Sequence, residues 1–262
     1  MNIQAIKRFS LGLIFSSLSL LLSACGEGSN HSLVTNKDAQ TYKASLDVAW
    51  EKMSPHEQEA FNWAVQDFDL ARLNKEYAGA SPKEIIRAEV KKQIKISEEQ
   101  IPALKQDVDA WEKEAATLRL ITVSDASFYI AKDFFGDQPK IKAKMINKSG
   151  YDISSAKYYA ALYIDDQPDP VATSIVSSNY KSIGGFKNSE VVTSSYTIGF
   201  VTGDAGWTTL EIVNAKNRVV KMSVIPDSVR DFGDRAFIRE YPGTRLKQLE
   251  NGLALAKSYK DI

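Results

Sequence analysis

The chain has 262 residues, of which 44% are hydrophobic and 25% are charged, a composition typical of globular proteins. Its 33 basic and 33 acidic residues balance, which excludes the basic footprint of a nucleic-acid-binding protein. A single cysteine cannot form an internal disulfide, so packing must stabilise the fold.

The first 24 residues have the three parts of a secretory signal. Lys7 and Arg8 give a positive start, and an apolar core spans residues 11–22. This core of about a dozen residues is shorter than the roughly 20 that span a bilayer. Removal of the segment would leave 31 basic against 33 acidic residues, a net charge near −2.

The sequence Leu22-Ser23-Ala24-Cys25 follows this core and resembles the lipobox of bacterial lipoproteins. The resemblance implies cleavage between Ala24 and Cys25, a diacylglyceryl thioether on the Cys25 sulfur, and an acylated new amino terminus. Two or more acyl chains hold a protein stably at a membrane, whereas one holds it only marginally. Gly26, in place of aspartate, resembles the signal for sorting to the outer membrane. The alternative is a secreted protein with a free thiol at its start.

Changes in composition and hydrophobic period divide the rest of the chain. Residues 26–37 are polar and small, which predicts a flexible tether. Near Leu120 the apolar period changes from helical to alternating. The predicted organisation is a signal peptide (1–24), a lipidated tether (25–37), a helical region (38–119), a β-sandwich (120–226) and a C-terminal segment with an amphipathic helix (227–262).

Four apolar stripes at three- and four-residue steps predict a helical hairpin or small bundle. Ser54 and Ser81 each precede Pro-x-Glu, a pattern that predicts a capping box with proline in the first turn. Pro102 either begins the fourth helix or kinks a long one. The stripes are Tyr42, Leu46, Ala49, Trp50 and Met53; Phe61, Ala64, Val65, Phe68 and Ala71; Ile85, Ile86, Val90 and Ile94; and Leu104, Val108, Trp111, Ala115 and Leu118.

Six or seven short strands separated by turn signals predict an antiparallel sandwich. Residues 140–145 alternate between lysine and apolar side chains, so we expect the lysines in water and the apolar residues in the core. The other strands are expected within residues 121–130, 158–164, 171–183, 191–201, 207–213 and 219–225. Turns are expected at residues 136–139, 147–150, 165–170, 184–185 and 203–206.

The run from Pro139 to Gly150, followed by Ser154-Ser155-Ala156 and a long strand, is similar to small immunoglobulin-like domains of bacterial envelope proteins. In those domains an extended strand ends in Asn-x-Ser/Thr, here Asn147 and Ser149. The resemblance implies that Asn147 and Ser149 are turn residues with no catalytic role.

The helical half, with Met53-Ser54-Pro55 and then Phe61 and Ala64, resembles uncharacterised Gram-negative lipoproteins that pair a helical region with such a sandwich. The resemblance implies an α+β protein. Its parts would be an N-terminal helical hairpin or bundle, an antiparallel immunoglobulin-like β-sandwich and a C-terminal helix.

No arrangement of residues in the sequence indicates a catalytic or metal site. The two histidines, His31 and His56, lack metal-ligand spacing, and nothing indicates that His56 reaches a serine of the sandwich. The acidic residues within 165–169 lack the alternating ligand spacing of a calcium loop, so we interpret them as a solvated turn. We predict no cofactor, no metal and no enzymatic activity. A hydrolase that uses paired carboxylates stays an alternative.

The sandwich region is rich in tyrosine, which fills cores and also anchors interfaces. Consecutive Tyr158 and Tyr159 must point to opposite faces of a strand, so we expect one of them outside. We predict a lipid-anchored cell-envelope protein on the periplasmic face of the outer membrane. Its role would be to bind an envelope protein, peptidoglycan or a copy of itself, and not nucleic acid. A structural spacer is a further alternative.

Overall fold

The computed structural model describes residues 28–133, 136–199 and 204–262. They form an α+β structure with an N-terminal helical region, two antiparallel sheets and a C-terminal helix, which confirms the predicted class. The chain divides into two compact units. We call the described residues of Met1–Ala103, together with Arg245–Ile262, the helical unit, and those of Leu104–Thr244 the sheet unit. The boundary predicted after residue 119 follows the change of secondary structure, whereas the two units divide inside a helix.

Six α-helices lie within the described residues. They are α1 (Ala39–Trp50), α2 (Pro55–Ala64), α3 (Leu70–Tyr77), α4 (Pro82–Leu118), α5 (Leu210–Asn214) and α6 (Gly243–Ser258). At the start of α2 the Ser54 side chain accepts from the Glu57 amide, and the Glu57 carboxylate accepts from the Ser54 amide at 2.8 Å. Ser81 and Glu84 make the same pair of bonds before α4. Both predicted capping boxes are confirmed.

The predicted stripe from Phe61 to Ala71 is divided between α2 and α3. Asp69 adopts an extended conformation there, and its side chain accepts a hydrogen bond from the Arg72 amide at 2.7 Å. This cap begins a new helix. Pro102, in contrast, lies inside α4, so the third and fourth stripes belong to one continuous helix.

The helical unit has its own hydrophobic core. Leu249 and Ala256 of helix α6 are both buried, as the predicted amphipathic face requires. Ser97 of α4 donates to the Leu249 carbonyl at 3.5 Å, and Arg87 donates to the Ile262 carbonyl at 2.9 Å. The C-terminal helix therefore packs with the N-terminal helices. The core residues are Leu33, Ala49, Met53, Ala60, Phe61, Ala64, Leu73, Ile85, Ile86, Val90, Tyr259 and Ile262.

Residues 28–35 pack against these helices, so the prediction of a flexible tether as far as Lys37 is wrong for them. Leu33 is buried, and its amide donates to a carbonyl just before α4. The Ser29 hydroxyl donates to the Glu57 carboxylate at 2.5 Å. Burial of one leucine side chain contributes about 2 kcal/mol, which holds an otherwise polar stretch to the surface.

Within the described residues, six strands form two three-stranded antiparallel sheets. The strands are β1 (Ile121–Asp133), β2 (Gly136–Asn147), β3 (Ser155–Ile164), β4 (Ala172–Asn179), β5 (Val191–Thr197) and β6 (Arg218–Val224). One sheet has the order β1-β2-β5 and the other has the order β4-β3-β6. The register places Ile141 beside Phe128 and Tyr196 in the first sheet, and Tyr158 beside Val176 and Val224 in the second.

The two sheets share one hydrophobic core. Ile141, Ala143 and Met145 of β2 are fully buried, while Lys142 and Lys144 between them are exposed, so the predicted alternation is confirmed. The inward residues of β3 are equally buried. The residues on the outer faces of the two sheets are therefore not constrained by packing in this core.

Two predicted segments of the sandwich differ from the structure. Residues 136–139 begin strand β2 instead of forming a turn. Residues 207–213, predicted as a strand, contain the end of a short 3₁₀ turn and most of α5. The Thr209 side chain accepts from the Ile212 amide and caps α5, which overrides the strand preference of the β-branched residues there.

Asn147 ties together the turn after β2. Its side-chain amide donates to the carbonyls of Tyr151 at 2.7 Å and Phe186 at 2.9 Å. Its side-chain oxygen accepts from the amide of Ser149 at 3.1 Å and from its hydroxyl at 2.7 Å. Asn147 is therefore the last residue of β2, and its side chain holds the turn that contains Ser149.

Candidate functional site

The residues predicted to carry the lipid anchor, Ala24 and Cys25, lie outside the described residues. Cleavage before Cys25 and its acylation therefore stay predictions. In the part of the chain that the structure describes, no helix is both long enough and apolar enough to cross a membrane.

Both histidines belong to the helical unit. The His31 amide donates to the Gly28 carbonyl at 3.0 Å. His56 Nε2 lies 3.2 Å from the Ser258 carbonyl oxygen, and its ring packs at a tilt on Tyr259 with centroids 5.2 Å apart. Among the described residues, no group of three His, Cys, Asp or Glu side chains could hold a metal ion.

The acidic side chains with displaced pKa values act as caps and ion-pair partners. A hydrogen bond from Ser29 holds the pKa of Glu57 below its ordinary value, with help from Ser54 and Lys83. The pKa of Glu112 is lowered in the same way by Arg119. Over residues 28–133, 136–199 and 204–262, every carboxyl group whose pKa is displaced is displaced downward. Such groups stay ionised at neutral pH and are poor proton donors.

The two adjacent tyrosines of β3 point to opposite faces, as predicted. Tyr158 is fully buried, and its hydroxyl lies 2.8 Å from that of Tyr180. Burial raises the pKa of both phenols, that of Tyr180 to about 12. Tyr159, in contrast, is 42% exposed on the outer face of its sheet.

The outer face of the β4-β3-β6 sheet carries a cluster that we call the aromatic face. Tyr159 lies beside Ile175 of β4, and Tyr163 lies beside Val219 of β6. Ile175 is 60% exposed and Val219 is 52% exposed. Ala161 lies between the two tyrosines along β3 and is buried, with 4% exposure. The members of the aromatic face are Tyr159, Ala161, Tyr163, Ile175 and Val219.

Two lysines lie on the same side of the sheet as the aromatic face, Lys157 two residues before Tyr159 on β3 and Lys221 on β6. Lys221 of β6 lies opposite Ala161, and its Nζ is 4.5 Å from the centroid of the Tyr163 ring. This cation–π contact holds the Tyr163 ring against the sheet. Tyr159 and Ile175 then form the more accessible half of the face, next to β4.

Strand β4 is an edge strand whose composition does not protect it. In the described part of the chain it pairs with β3 alone, over a continuous register from Ala172 to Asn179. Its eight residues include no charged residue and no proline. Natural edge strands are usually blunted by charge, proline or a bulge, because unpaired backbone groups invite another strand. The β4 edge is therefore a candidate site for strand addition.

Sequence reasoning found Tyr159 but missed its neighbours. Ile175 and Val219 belong to other strands, and only the register brings them beside the tyrosines. The alternation of Thr173, Ile175 and Ser177 on one side of an uncharged strand was the available signal. This alternation was hard to recognise because the predicted strand extended to residue 183, whereas β4 ends at Asn179.

A scan against protein-family models, a search of curated proteins and a search of solved structures each found no match for this chain. The resemblance to envelope lipoproteins therefore stays a prediction.

Proposed function

We propose that this chain is a lipid-anchored cell-envelope protein whose sheet unit is an immunoglobulin-like binding module. Its β4 edge and the adjacent aromatic face bind an extended segment of another envelope protein by strand addition. The observation that carries the proposal is the uncharged β4 edge beside exposed Tyr159 and Ile175. The proposed role involves no reactive centre.

The strand order supports an immunoglobulin-like fold for the sheet unit. In that fold strands A, B and E share one sheet, and strands C′, C and F share the other. The orders β1-β2-β5 and β4-β3-β6 correspond to A-B-E and C′-C-F in chain order. In place of the usual buried tryptophan of strand C, β3 buries Tyr158.

The start of the folded chain limits how far an anchored protein reaches. Gly28 packs against the backbone of Lys52, so the helical unit begins three residues after Cys25. Three residues span at most about 11 Å. If Cys25 is acylated, the helical unit lies close to the bilayer surface. Confinement to that surface raises the effective concentration of the protein toward partners on the same membrane.

The proposed docking mode uses both backbone and side chains. An added strand would bond to the unpaired backbone groups of β4, which gives affinity. Its side chains on the outer side would meet Tyr159 and Ile175, which gives specificity, because aromatic and branched neighbours stabilise cross-strand pairs by about 0.2–1 kcal/mol each. The β4-β3-β6 sheet would become four-stranded.

Photocrosslinking in living cells tests this mode. A photoreactive amino acid replaces Ile175 in the full chain, and a matched variant carries it at Val48, an exposed residue of α1. We expect one discrete protein adduct at position 175 and none at position 48. The added charges of the double substitution Thr173→Lys and Ser177→Lys, with the photoreactive residue kept at 175, should abolish the adduct.

Other outcomes contradict the proposal in distinguishable ways. A crosslink between two copies of this chain would assign the edge to self-association. Equal labelling from positions 175 and 48 would show no specific docking. In a Cys25→Ala variant we expect the adduct to decrease strongly, because the protein is then released from the membrane; an unchanged adduct would contradict the anchored role and leave the docking mode standing.

A further inference from the structure

We infer that the outer face of the β1-β2-β5 sheet binds an anionic glycan. This surface, which we call the lysine face, is centred on Lys140, Lys142 and Lys144 of β2. It belongs to the other sheet from the aromatic face. The inference does not depend on the lipid anchor or on strand addition at β4.

The three lysines form a straight row in the middle of the sheet. Alternate residues of an antiparallel strand are about 6.8 Å apart, so the row presents three cations at a regular interval over about 14 Å. Lys142 and Lys144 are exposed, and Lys140 is half-buried. A row of this kind matches a linear polymer that carries repeated negative charges.

Hydroxyl groups flank the row on both sides. Lys142 lies between Ser127 of β1 and Ser195 of β5. Lys140 lies between a tyrosine of β1 and a threonine of β5, and Lys144 also has a threonine beside it on β5. The flanking residues with hydroxyl groups are Ser127, Tyr129, Thr193, Ser195 and Thr197.

The charge of the row is largely uncompensated. Lys144, at one end of the row, lies 4.0 Å from the Asp125 carboxylate, and both of these side chains are well exposed. Lys140 and Lys142 form no ion pair with any described side chain. Like charges on one face repel each other, so an anion lying along β2 would relieve repulsion as well as form new contacts.

A bulge in β1 makes this face concave. The register shifts between Val123 and Asp125, and a shallow depression of about 430 Å³ lies over the lysines at that end. Its lining is mixed, because two alanines lie among the hydroxyl groups of Ser124, Ser127 and Thr193, and Asp125 lies there beside Lys144. A bulge typically re-aims side chains and ends regular pairing, which here leaves room for a sugar-sized group.

The surrounding chemistry favours a glycan over an acidic polypeptide. Serine and threonine hydroxyls both donate and accept hydrogen bonds, as the hydroxyls of sugars do. Tyr129, 42% exposed at the Lys140 end, offers a flat apolar surface of the kind that stacks on a sugar ring. A polypeptide partner would be expected to meet apolar side chains, and these are concentrated on the opposite sheet.

Binding to defined polymers tests the inference. The full chain, purified in a non-ionic detergent, is titrated with sodium polygalacturonate, a linear glycan with one carboxylate per sugar. Neutral dextran and sodium polyglutamate are the comparison polymers. We expect binding to polygalacturonate, no binding to dextran, and at least fivefold weaker binding to polyglutamate at equal charge concentration.

Matched charge variants locate the binding. The triple substitution Lys140→Gln, Lys142→Gln and Lys144→Gln should weaken polygalacturonate binding on the order of tenfold. Arginine at the same three positions should preserve it. The control changes three exposed lysines elsewhere, Lys37→Gln, Lys91→Gln and Lys181→Gln, and should alter affinity less than twofold.

Three results would overturn the inference. Equal loss in the control triple variant would show that net charge, not the lysine face, governs binding. Equal affinity for polyglutamate would assign the face to any polyanion. If the chain is folded, as judged by its circular dichroism spectrum, and does not bind polygalacturonate, the proposed glycan ligand is wrong.

Discussion

The two outer faces of the sheet unit differ in chemistry although they cover the same core. The β4-β3-β6 sheet presents tyrosine, isoleucine and valine, together with Lys157 and Lys221, beside an uncharged edge strand. The β1-β2-β5 sheet presents three lysines flanked by hydroxyl groups. The inward residues of both sheets are similar aliphatic and aromatic side chains. The inward residues are therefore constrained by packing in the shared core, whereas the outward residues are available for contacts with binding partners.

Both faces belong to the sheet unit, so Asn147→Ala, which destabilises that unit, should weaken binding at both faces. The substitution leaves the carbonyls of Tyr151 and Phe186 and the groups of Ser149 without their buried partner. We expect the sheet unit to lose about 3 kcal/mol of its free energy of unfolding. Urea denaturation followed by circular dichroism measures this loss.

The exposed Asn188 provides a control for that substitution. Its side chain accepts one hydrogen bond, from the Gly150 amide at 3.0 Å. Asn188→Ala should lower the free energy of unfolding by less than about 1 kcal/mol. Equal losses from the two substitutions would contradict the organising role of Asn147.

A charge on the aromatic face should separate the two activities. Ile175→Lys places an ammonium group beside Tyr159 on the edge strand, which disfavours an added strand. We expect the affinity for the partner found by crosslinking to fall at least tenfold, with polygalacturonate binding unchanged. Titration of one purified variant with both ligands measures the two effects. A parallel loss of both would show that the faces are not independent.

Ionic strength should also distinguish the faces. Contacts between exposed charges weaken as salt screens them, whereas apolar and backbone contacts do not. Raising NaCl from about 50 mM to about 200 mM should weaken polygalacturonate binding severalfold, up to about tenfold. The affinity of the β4 edge for its partner should change less than twofold. Isothermal titration calorimetry at the two salt concentrations measures both affinities. Equal salt dependence of the two would contradict the proposed difference between the faces.

The helical unit should respond to acid through its capping glutamates. The pKa values of Glu57 and Glu84 are lowered in the folded chain, from an ordinary value of 4.5. Both carboxylates thus stabilise the fold above that value and lose their contribution as the pH falls through the lowered pKa. We expect the helical unit to become less stable between about pH 5 and pH 3.

The capping serines provide the matched variants for that measurement. Ser54→Ala and Ser81→Ala should each lower stability by about 1 kcal/mol at neutral pH. They should also reduce part of the pH dependence, because each glutamate loses the hydrogen bond from a serine hydroxyl but keeps the one from the backbone amide. Thermal unfolding at a series of pH values tests both expectations. An unaltered pH profile in the double variant would contradict the assignment of the acid sensitivity to these caps.

Local chemistry made much of the fold predictable. The Ser-Pro-x-Glu sequences at Ser54 and Ser81 satisfy backbone groups of their own helices, so no tertiary information was needed to find them. The alternation of residues 140–145 likewise fixed which face of β2 is buried. Consecutive Tyr158 and Tyr159 had to diverge, and they do.

The features that were not predictable depend on distant partners. Leu33 is buried only because α4 and its neighbours provide a surface, which the polar sequence around it does not reveal. Residues 207–213 have a strand-like composition, but the Thr209 cap makes most of them helical. The aromatic face required the register of three strands, and the absence of charge on β4 became meaningful once β4 was known to be an edge.

The claim on which the account rests is that acyl chains on Cys25 hold the helical unit within about 11 Å of a membrane. Mass spectrometry of the amino-terminal peptide, from the full chain expressed in a Gram-negative bacterium and isolated from its membranes, tests it directly. We predict a peptide that begins at Cys25 and carries a diacylglyceryl group and an amide-linked acyl chain. A peptide with an unmodified Cys25 thiol, or one that still contains residues 1–24, would contradict the account.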